Sequence, residues 1–238
     1  MKTLEKQRVV VVGGASGIGL AVAAAAAREG ALVDVHDVDP AAVARVKDTL
    51  PRGRHRVVDI LDEAAVVNAF DEPGPLDHVY VAAGFAGASS IVDGDLAAQW
   101  RIIDVRLKGS AHVVRAASKR MRPAGSFTLT GGVSTDRPAK GSWAINVSTA
   151  ATEQLTRTLA VELAPLRFNA VAPGWTDTPM WDRVLGPNKA QVFSDVAQTL
   201  LTKRLSRPDE VAEAVLFLMR TEAITGEVLH VDGGGRIA

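Results

Sequence analysis

The chain has 238 residues and contains no cysteine. Disulfide bonds, thiolate nucleophiles and cysteine metal ligands are therefore excluded, and a reducing compartment suits the protein. Aromatic residues make up only 5% of the chain, and Tyr80 is the single tyrosine. Any chemistry that needs a phenolic hydroxyl must use Tyr80, which lies inside the apolar stretch DHVYVAAG and is expected to pack against a helix.

Charge of neither sign is in excess. Basic and acidic residues both number 27, so the formal net charge is +0. Without an excess, no general field draws nucleic acid or an anionic membrane surface to the protein. The polar opening MKTLEKQR argues against a signal peptide, and the apolar runs are too short to span a bilayer. We therefore expect a cytoplasmic protein with no nucleic-acid or membrane partner.

Metal-ligand spacing is also missing. The histidines are scattered along the chain, and none falls in a pattern typical of a metal site. Structural or surface roles are predicted for all of them. His112 lies on the predicted long helix and is the histidine most able to reach a binding cleft. The histidines are His36, His55, His78, His112 and His230.

Apolar strands and helical segments alternate along the chain. Arg8–Val12 is a run of valines without polar alternation, as in parallel strands covered on both faces. The same order continues through ALVDVHD, RHRVVDI, DHVYVAAG, GSFTLTGG, LRFNAVAP and EVLHVDG, and a long helix is predicted over DLAAQWRIIDVRLKGSAHVVRAASKRM. This order predicts an α/β fold with a doubly wound parallel sheet and helices on both faces. One domain is predicted over 1–238, with the less regular stretch 174–205 interrupting the pattern.

A glycine loop joins the first strand to the first helix. Gly13, Gly17 and Gly19 let the backbone turn sharply and approach a pyrophosphate closely. The helix N-terminus then offers unpaired N–H groups and a positive dipole end. The loop therefore predicts a dinucleotide site.

Asp37 ends the second strand, where a carboxylate can accept hydrogen bonds from the adenosine ribose hydroxyls. The same carboxylate would repel a 2′-phosphate, and GGASGIG contains no basic residue. This favours NAD(H) over NADP(H), although NADP(H) stays possible. The alternative is that Asp37 only shapes the turn before Asp39-Pro40.

Several motifs together resemble the short-chain dehydrogenase/reductase family. VVVVGGASGIG resembles its TGxxxGxG signature, with Val12 at the threonine, and Ala83-Gly84 resembles the end of its NNAG motif. LAVELAPLRFNAVAPGWTDTPM resembles its PG-containing stretch, and RLSRPDEVAEAVLFLMR with ITGEVLHVDGG resembles its C-terminal helix and strand. The resemblance covers nearly the whole chain.

The resemblance implies a Rossmann-type fold, a nicotinamide cofactor and a small carbonyl or alcohol substrate. It places Asp59-Ile60 at the adenine, and it makes 174–205 the variable substrate-side segment. The cofactor-binding residues that it implies are Gly13, Ser16, Gly17, Ile18, Gly19, Asp37, Asp59, Ile60, Ala83, Gly84, Pro173, Gly174, Thr176 and Thr178.

Departures from the family pattern concentrate at the catalytic positions. The resemblance places Ile145 at the family's tyrosine and Thr149 at its lysine. It places Gly132 at the serine and Arg106 at the asparagine. An isoleucine cannot donate a proton, so proton delivery by the family's tyrosine is not available here. General acid catalysis supplies about 10²–10⁴-fold in rate, so its loss need not abolish hydride transfer.

Arg106 is the best candidate for a replacement role. If the helix lies as in the family, its guanidinium faces the cofactor and could hold ribose or an anionic substrate. The alternative is an ion pair between helices. The other polar residues near the site are expected to be loop and capping residues, and Trp143 and Trp175 wall an apolar pocket or merely pack. These polar residues are Thr130, Ser134, Asp136, Arg137, Lys140, Ser142, Asn146, Ser148 and Thr149.

Three functions fit this pattern. The first is an atypical NAD(P)-dependent oxidoreductase with non-standard proton delivery. The second is a non-catalytic dinucleotide-binding sensor or scaffold, and the third is a non-redox enzyme on the same fold.

The helices around 96–121 and 146–163 resemble the paired helices of the family's dimer interface. The C-terminal segment resembles the family's second contact between subunits. They predict a homodimer or homotetramer.

Overall fold

The computed structural model of the protein describes residues 3–71 and 73–238. Met1 and Lys2 of the opening stretch, and Glu72, lie outside the described residues. The elements in chain order are β1 (Arg8–Val12), α1 (Gly17–Arg28), β2 (Leu32–Asp37), α2 (Pro40–Thr49), β3 (His55–Val57), α3 (Glu63–Phe70), β4 (Leu76–Val81), α4 (Leu96–Asp104), α5 (Ser110–Ser118), β5 (Met121–Thr130), α6 (Trp143–Glu162), β6 (Arg167–Pro173), α7 (Met180–Leu185), α8 (Lys189–Thr199), α9 (Pro208–Arg220) and β7 (Val228–Val231).

The sheet is parallel and has the order β3-β2-β1-β4-β5-β6-β7. This confirms the predicted doubly wound α/β fold. The strand order reverses between β1 and β4, which are neighbours in the sheet although β2 and β3 separate them in the chain. In open parallel sheets a crevice forms at this point, outside the carboxyl ends of the strands.

Two apolar layers cover the sheet. Side chains such as Val22 of α1, Val43 of α2 and Val215 of α9 fill one face. Val66 of α3 and Val113 of α5 belong to the cluster on the other face. The alanines of α1 suit the close packing of this helix, because a methyl group leaves room for the backbone to approach. The valine-rich strands are covered on both faces, as their sequence predicts.

The predicted long helix is corrected by the structure. Between α4 and α5 the chain forms a π-helical turn over Val105–Gly109, and α5 ends at Ser118. Met121 already belongs to β5, where it pairs with Leu76. A wider turn of this kind is usually found at functional sites. Gly109 is needed here, because a Cβ atom at this position would lie 2.5 Å from Cδ1 of Ile60.

The stretch 174–205 contains more regular secondary structure than its sequence predicts. It contains α7, a 3₁₀ turn over Gly186–Asn188 and α8. Within residues 3–71 and 73–238, no helix is both long and apolar enough to cross a membrane.

Candidate active site

The glycine loop forms a cradle at the carboxyl end of β1. A Cβ atom on Gly13 would lie 2.7 Å from the backbone nitrogen of Ala83, and one on Gly19 would lie 2.0 Å from the carbonyl oxygen of Gly13. Gly13 and Gly17 both have positive φ angles, of 77° and 52°. Only glycine allows this backbone path, because side chains at Gly13 and Gly19 would collide with backbone atoms. The loop therefore lies close to the end of β4, and its backbone is open to a ligand.

The N-terminus of α1 is free to bind an anion. Ser16 is the N-cap residue, and its side chain makes no capping hydrogen bond. No acidic residue lies in the first turn of this helix. The positive dipole end of the helix is therefore not neutralised by the chain itself, as expected at a pyrophosphate site.

Asp37 connects the glycine loop with the turn after β2. One carboxylate oxygen accepts a hydrogen bond from the backbone N–H of Ala15 at 3.0 Å, and the other accepts from Asp39 N–H at 3.1 Å. The turn role and the loop contact are therefore both present. An ionised carboxylate has about four acceptor positions, so two of them stay open for ribose hydroxyls.

The Asp59-Ile60 pair lies after β3, as the sequence predicts. The Asp59 carboxylate accepts from Leu61 N–H at 3.0 Å and reaches Arg101 at 3.5 Å. His112 of α5 lies 2.9 Å, through Nδ1, from the carbonyl oxygen of Ile60. His112 therefore contacts the segment that carries Asp59 and Ile60.

The opposite wall of the crevice follows β6. A Cβ atom on Gly17 would lie 3.3 Å from Cγ2 of Thr178, so the PG-containing stretch meets the glycine loop directly. The Thr176 hydroxyl donates to the carbonyl oxygen of Gly174 at 3.1 Å. Gly174 itself packs on Asp232, which a Cβ atom would approach to within 2.7 Å.

Arg106 lies on the π-helical turn, and its guanidinium packs against the segment after β4. A Cβ atom on Gly84 would lie 3.0 Å from Cζ of Arg106. Nη1 donates to the carbonyl oxygen of Thr130 at 3.0 Å, and the buried Nε has no hydrogen-bond partner. Burial lowers the pKa of the guanidinium to about 10, so the group stays protonated near neutral pH.

The alternative for Arg106, an ion pair between helices, is not found among the described residues. Among residues 3–71 and 73–238, no carboxylate lies within salt-bridge distance of its guanidinium. A buried cation without an anionic neighbour is costly unless a ligand or hydrogen-bonding groups compensate its charge. Arg106 is thus a cationic group at the inner end of the crevice.

Tyr80 is buried in the apolar layer beneath α1 and α9. Its hydroxyl accepts a hydrogen bond from the Thr130 hydroxyl at 3.1 Å, and burial raises its pKa to about 12. A phenol in this environment does not release its proton near neutral pH. The predicted structural role of Tyr80 agrees with this position.

Ile145 lies on the first turns of α6, in an apolar cluster with Ile102, Ile103 and Ala144. Phe85, Leu107 and Trp143 pack against the same cluster, and Trp143 meets Trp100 edge to face at 5.9 Å. The side chains that pack around Ile145 in the described part of the chain are therefore mainly apolar.

Thr149 lies one turn further along α6, on the same face, and only 1% of its surface is exposed. Its hydroxyl donates to the carbonyl oxygens of Ile145 and Asn146, at 3.0 and 3.1 Å. It also lies 3.1 Å from the hydroxyl of Ser134 and 3.1 Å from that of Thr135. Thr149 is thus part of a hydroxyl cluster between α6 and the end of β5.

Glu153 was missed by sequence reasoning. It lies four residues after Thr149 on the same face of α6, and only 5% of its surface is exposed. Its Oε1 accepts from the Thr135 hydroxyl at 2.9 Å and from Gly132 N–H at 3.5 Å. The spacing of 145, 149 and 153 is the signal that could have identified it, because residues four apart share a helix face.

The substrate-side segment carries an aromatic group. The rings of Trp175 and Trp181 stack at 4.3 Å, and Phe193 meets both edge to face at 6.5 Å. Lys189 lies 5.1 Å from the ring centroid of Phe193 and makes salt bridges with Asp177 and Asp182. Trp175 therefore packs against aromatic side chains of its own segment.

No group of three or more His, Asp or Glu side chains in the described part of the chain could hold a metal ion. His36 and His78 are buried in the core, and desolvation lowers the pKa of each to about 4. His230 pairs with Asp136 at 3.2 Å.

The parallel sheet, the glycine cradle at its switch point and the acidic residue after β2 define a Rossmann-type dinucleotide-binding protein. A family model described as enoyl-(acyl carrier protein) reductase matches residues 13–235. A short-chain dehydrogenase/reductase of Stachybotrys chlorohalonatus, ATR9, is 33% identical over 250 residues and covers 98% of both chains. The protein belongs to the short-chain dehydrogenase/reductase family.

Two further relatives are informative. The cis-4-hydroxycyclohexanecarboxylate dehydrogenase of Sinomonas cyclohexanicum is 37% identical over 244 residues, with 94% of each chain covered. A small-chain dehydrogenase solved in complex with NADPH superposes with a TM-score of 0.87 at 28% identity, covering 98% of this chain and 100% of that one. The chain is therefore an oxidoreductase of a family that uses NAD(P)(H).

Proposed function

We propose that the protein is an atypical NAD(P)-dependent oxidoreductase that transfers hydride to or from a small carbonyl or alcohol substrate. The observation that carries the proposal is Arg106, a cation that meets no carboxylate among the described residues, at the inner end of a glycine-lined crevice. A scaffold needs no such group, whereas a site that holds ribose hydroxyls and a reacting oxygen does.

The residues present fit the cofactor. The cradle of Gly13, Gly17 and Gly19 would take the pyrophosphate, Asp37 the adenosine ribose and Asp59-Ile60 the adenine. Bound there, the nicotinamide cofactor supplies or accepts the hydride. We propose NAD(H) as the preferred form, because the Asp37 carboxylate repels a 2′-phosphate.

The catalytic end is proposed to work without the family's usual side chains. Ile145, Thr149 and Gly132 stand at the positions of the tyrosine, lysine and serine, and Arg106 at that of the asparagine. Arg106 replaces the positive charge of the lysine beside the nicotinamide ribose. Its Nη1 is already held by Thr130, so the guanidinium is oriented before any ligand arrives.

The substrate class proposed is a small apolar carbonyl compound or alcohol, because Ile145, Phe85 and Leu107 form a hydrocarbon wall beside the guanidinium. The relative named for cis-4-hydroxycyclohexanecarboxylate acts on an alicyclic alcohol that also carries a carboxylate. That compound combines an apolar ring with an anionic group, so it is the first probe to try.

A non-catalytic nucleotide sensor or scaffold is the alternative, and the apolar cluster that Ile145 packs against favours it. One domain over 1–238, with 174–205 as its substrate-side segment, is part of the proposal. So is a homodimer or homotetramer, and the cytoplasmic location stays a prediction from the sequence.

The experiment is a titration followed by an assay. NADH binding is measured by calorimetry on the purified protein, and NADH absorbance is then followed with NAD⁺ and cis-4-hydroxycyclohexanecarboxylate, and with NADH and a panel of ketones. Binding with turnover supports the oxidoreductase. Binding without turnover across the panel supports the sensor, and absence of NADH and NADPH binding contradicts both.

A further inference from the structure

A buried carboxyl group is connected to the catalytic end of the crevice by three side-chain hydroxyls. The hydroxyls belong to Thr135, Thr149 and Ser134, and the carboxyl group to Glu153. The Thr135 hydroxyl lies 2.9 Å from Oε1 of Glu153 and 3.1 Å from the Thr149 hydroxyl, which lies 3.1 Å from that of Ser134. We name these four groups the hydroxyl chain.

Ser134 ends the chain at the position where the family's serine would project. A Cβ atom on Gly132 would lie 3.6 Å from Oγ of Ser134 and 3.8 Å from the carbonyl oxygen of Pro173. The hydroxyl of Ser134 therefore borders the space that a side chain at position 132 would fill, and the carbonyl oxygen of Pro173 borders the same space. Ser134 is only partly buried.

Glycines opposite α6 make room for the other end of the chain. A Cβ atom on Gly131 would lie 2.7 Å from Oε1 of Glu153, and one on Gly132 would lie 3.1 Å from Cγ2 of Thr149. Larger residues would displace both side chains. Among the described residues, Glu153 has no basic side chain within salt-bridge distance. Its hydrogen-bonding contacts are with Thr135 and Gly132.

We propose that Glu153 supplies the proton for carbonyl reduction through the hydroxyl chain. This rests on the oxidoreductase function proposed above. The protonated carboxyl group of Glu153 donates to Thr135, and Thr135 donates to Thr149. Thr149 turns its hydroxyl hydrogen from the carbonyl oxygens of Ile145 and Asn146 to Ser134, and Ser134 donates to the substrate carbonyl oxygen. As hydride adds to the carbonyl carbon, the C=O π bond becomes an O–H bond, and Glu153 is left as a carboxylate that regains a proton from solvent. Alcohol oxidation runs the same steps backwards.

The Thr135 hydroxyl has two hydrogen-bond acceptors within reach, and they correspond to the states before and after the proton transfer. Its single hydroxyl hydrogen can point to Thr149 or to Glu153, and both contacts have hydrogen-bond geometry. The first is the arrangement before a proton moves toward the substrate, and the second is the arrangement after it has moved.

The variants come in pairs that separate the hydroxyl from its shape. Thr135→Val and Thr149→Val keep the side-chain volume and remove the hydroxyl, whereas Thr135→Ser and Thr149→Ser keep the hydroxyl. Glu153→Gln keeps an acceptor for Thr135 and Gly132 but cannot release a proton. Thr156→Val is the matched control, because Thr156 is equally buried on α6 and bonds only to the carbonyl oxygen of Thr152.

The first readout is turnover with NADH and 4-oxocyclohexanecarboxylate, the ketone of the first probe. Glu153→Gln and the two valine variants should lose about 10²-fold or more in kcat, with KM for NADH and for the ketone unchanged. The two serine variants should retain most of the parent's kcat, as should Thr156→Val. Parent-like kcat in Glu153→Gln, in a protein that binds NADH and reduces the ketone, overturns the relay but leaves the oxidoreductase function intact.

The second readout needs no turnover. With isotope-labelled glutamate, the infrared carboxyl band of Glu153 is identified as the band lost in Glu153→Gln. Both valine variants should shift this band, although Thr149 does not touch Glu153, and the serine variants should restore it. If Thr149→Val leaves the band unchanged while its thermal unfolding is normal, the chain is not connected and the proposal is wrong, whether or not the ketone is reduced.

Discussion

Arg106 donates from Nη1 to the main-chain carbonyl of Thr130 across 3.0 Å, which joins the π-helical turn to the last residue of β5. The contact fixes the guanidinium beside Gly84 while leaving its positive charge without an anionic partner among the described residues. Arg106 thus combines two properties that a binding group needs: a fixed position and an unneutralised charge.

Arg106→Ala should weaken NADH binding by about 10–100-fold, because a hydrogen bond to a charged group is worth about 1.5–3 kcal/mol. Calorimetric titration measures this, and turnover should fall as well. Arg115→Ala is the matched control, since Arg115 is exposed on α5 and pairs with Glu63. Unchanged NADH affinity and turnover in Arg106→Ala would favour the sensor and remove the replacement role.

Cofactor preference should depend on Asp37. The parent should bind NADH more tightly than NADPH, and a reversed preference of about tenfold, or 1.4 kcal/mol, would sink the assignment. Asp37→Asn should narrow the difference, because the amide keeps an acceptor but no longer repels a 2′-phosphate. Asp37→Ala should in addition weaken both cofactors, since Ala15 N–H loses its partner.

The glycine cradle should not tolerate a methyl group. Gly13→Ala combines a positive φ of 77° with an approach of 2.7 Å to Ala83, so it should abolish measurable NADH binding and lower the free energy of unfolding by about 1–3 kcal/mol. Gly186→Ala is the control, because Gly186 has a φ of 53° but no atom within 4 Å of the added carbon. That variant should lose some stability and keep its NADH affinity. Equal behaviour of the two variants in a binding titration contradicts the cradle.

Acid should destabilise the fold through His36 and His78. Burial lowers the pKa of each to about 4, from an ordinary value of 6.5, so the unfolded chain binds more protons between these two values. The stability contributed is complete above pH 6.5 and is lost as the pH falls toward 4, at about 1.4 kcal/mol per histidine and pH unit. Denaturant unfolding at several pH values should show that the free energy of unfolding falls less steeply with decreasing pH in His78→Gln than in the parent. An identical pH dependence in that variant would contradict this role.

Assembly should use exposed apolar residues on α4 and α6. Trp100, Val147 and Val161 are 53%, 51% and 82% exposed, although each is large and apolar. Light scattering should give a dimer or tetramer at micromolar concentration, and Val147→Glu should shift it toward the monomer because a charge would be buried at the interface. Val67→Glu on α3 is the control and should leave the oligomeric state unchanged. A parent that is monomeric at this concentration would count against the assembly.

The sequence by itself determined the architecture, and it predicted which residues form the nucleotide end of the site. Valine-rich strands alternating with helices require a sheet covered on both faces, and Gly13, Gly17 and Gly19 require a sharp strand-to-helix turn. Asp37 lies at the end of β2, as the alternation of strands and helices predicts. These features are local: periodicity and backbone freedom act within a few residues, so they can be read without knowing what packs against them.

The tertiary structure alone decided the catalytic end. The π-helical turn over Val105–Gly109 brings Gly109 against the side chain of Ile60, and the sequence shows no local reason for a wider turn. Among the residues that the structure describes, Arg106 makes no ion pair, because of which elements surround it and not because of its neighbours in the chain. Glu153 meets Thr135 only because α6 packs across the end of β5, where Gly131 and Gly132 leave room. Long-range contacts of this kind follow from the three-dimensional arrangement of distant segments, which no pattern within one segment encodes.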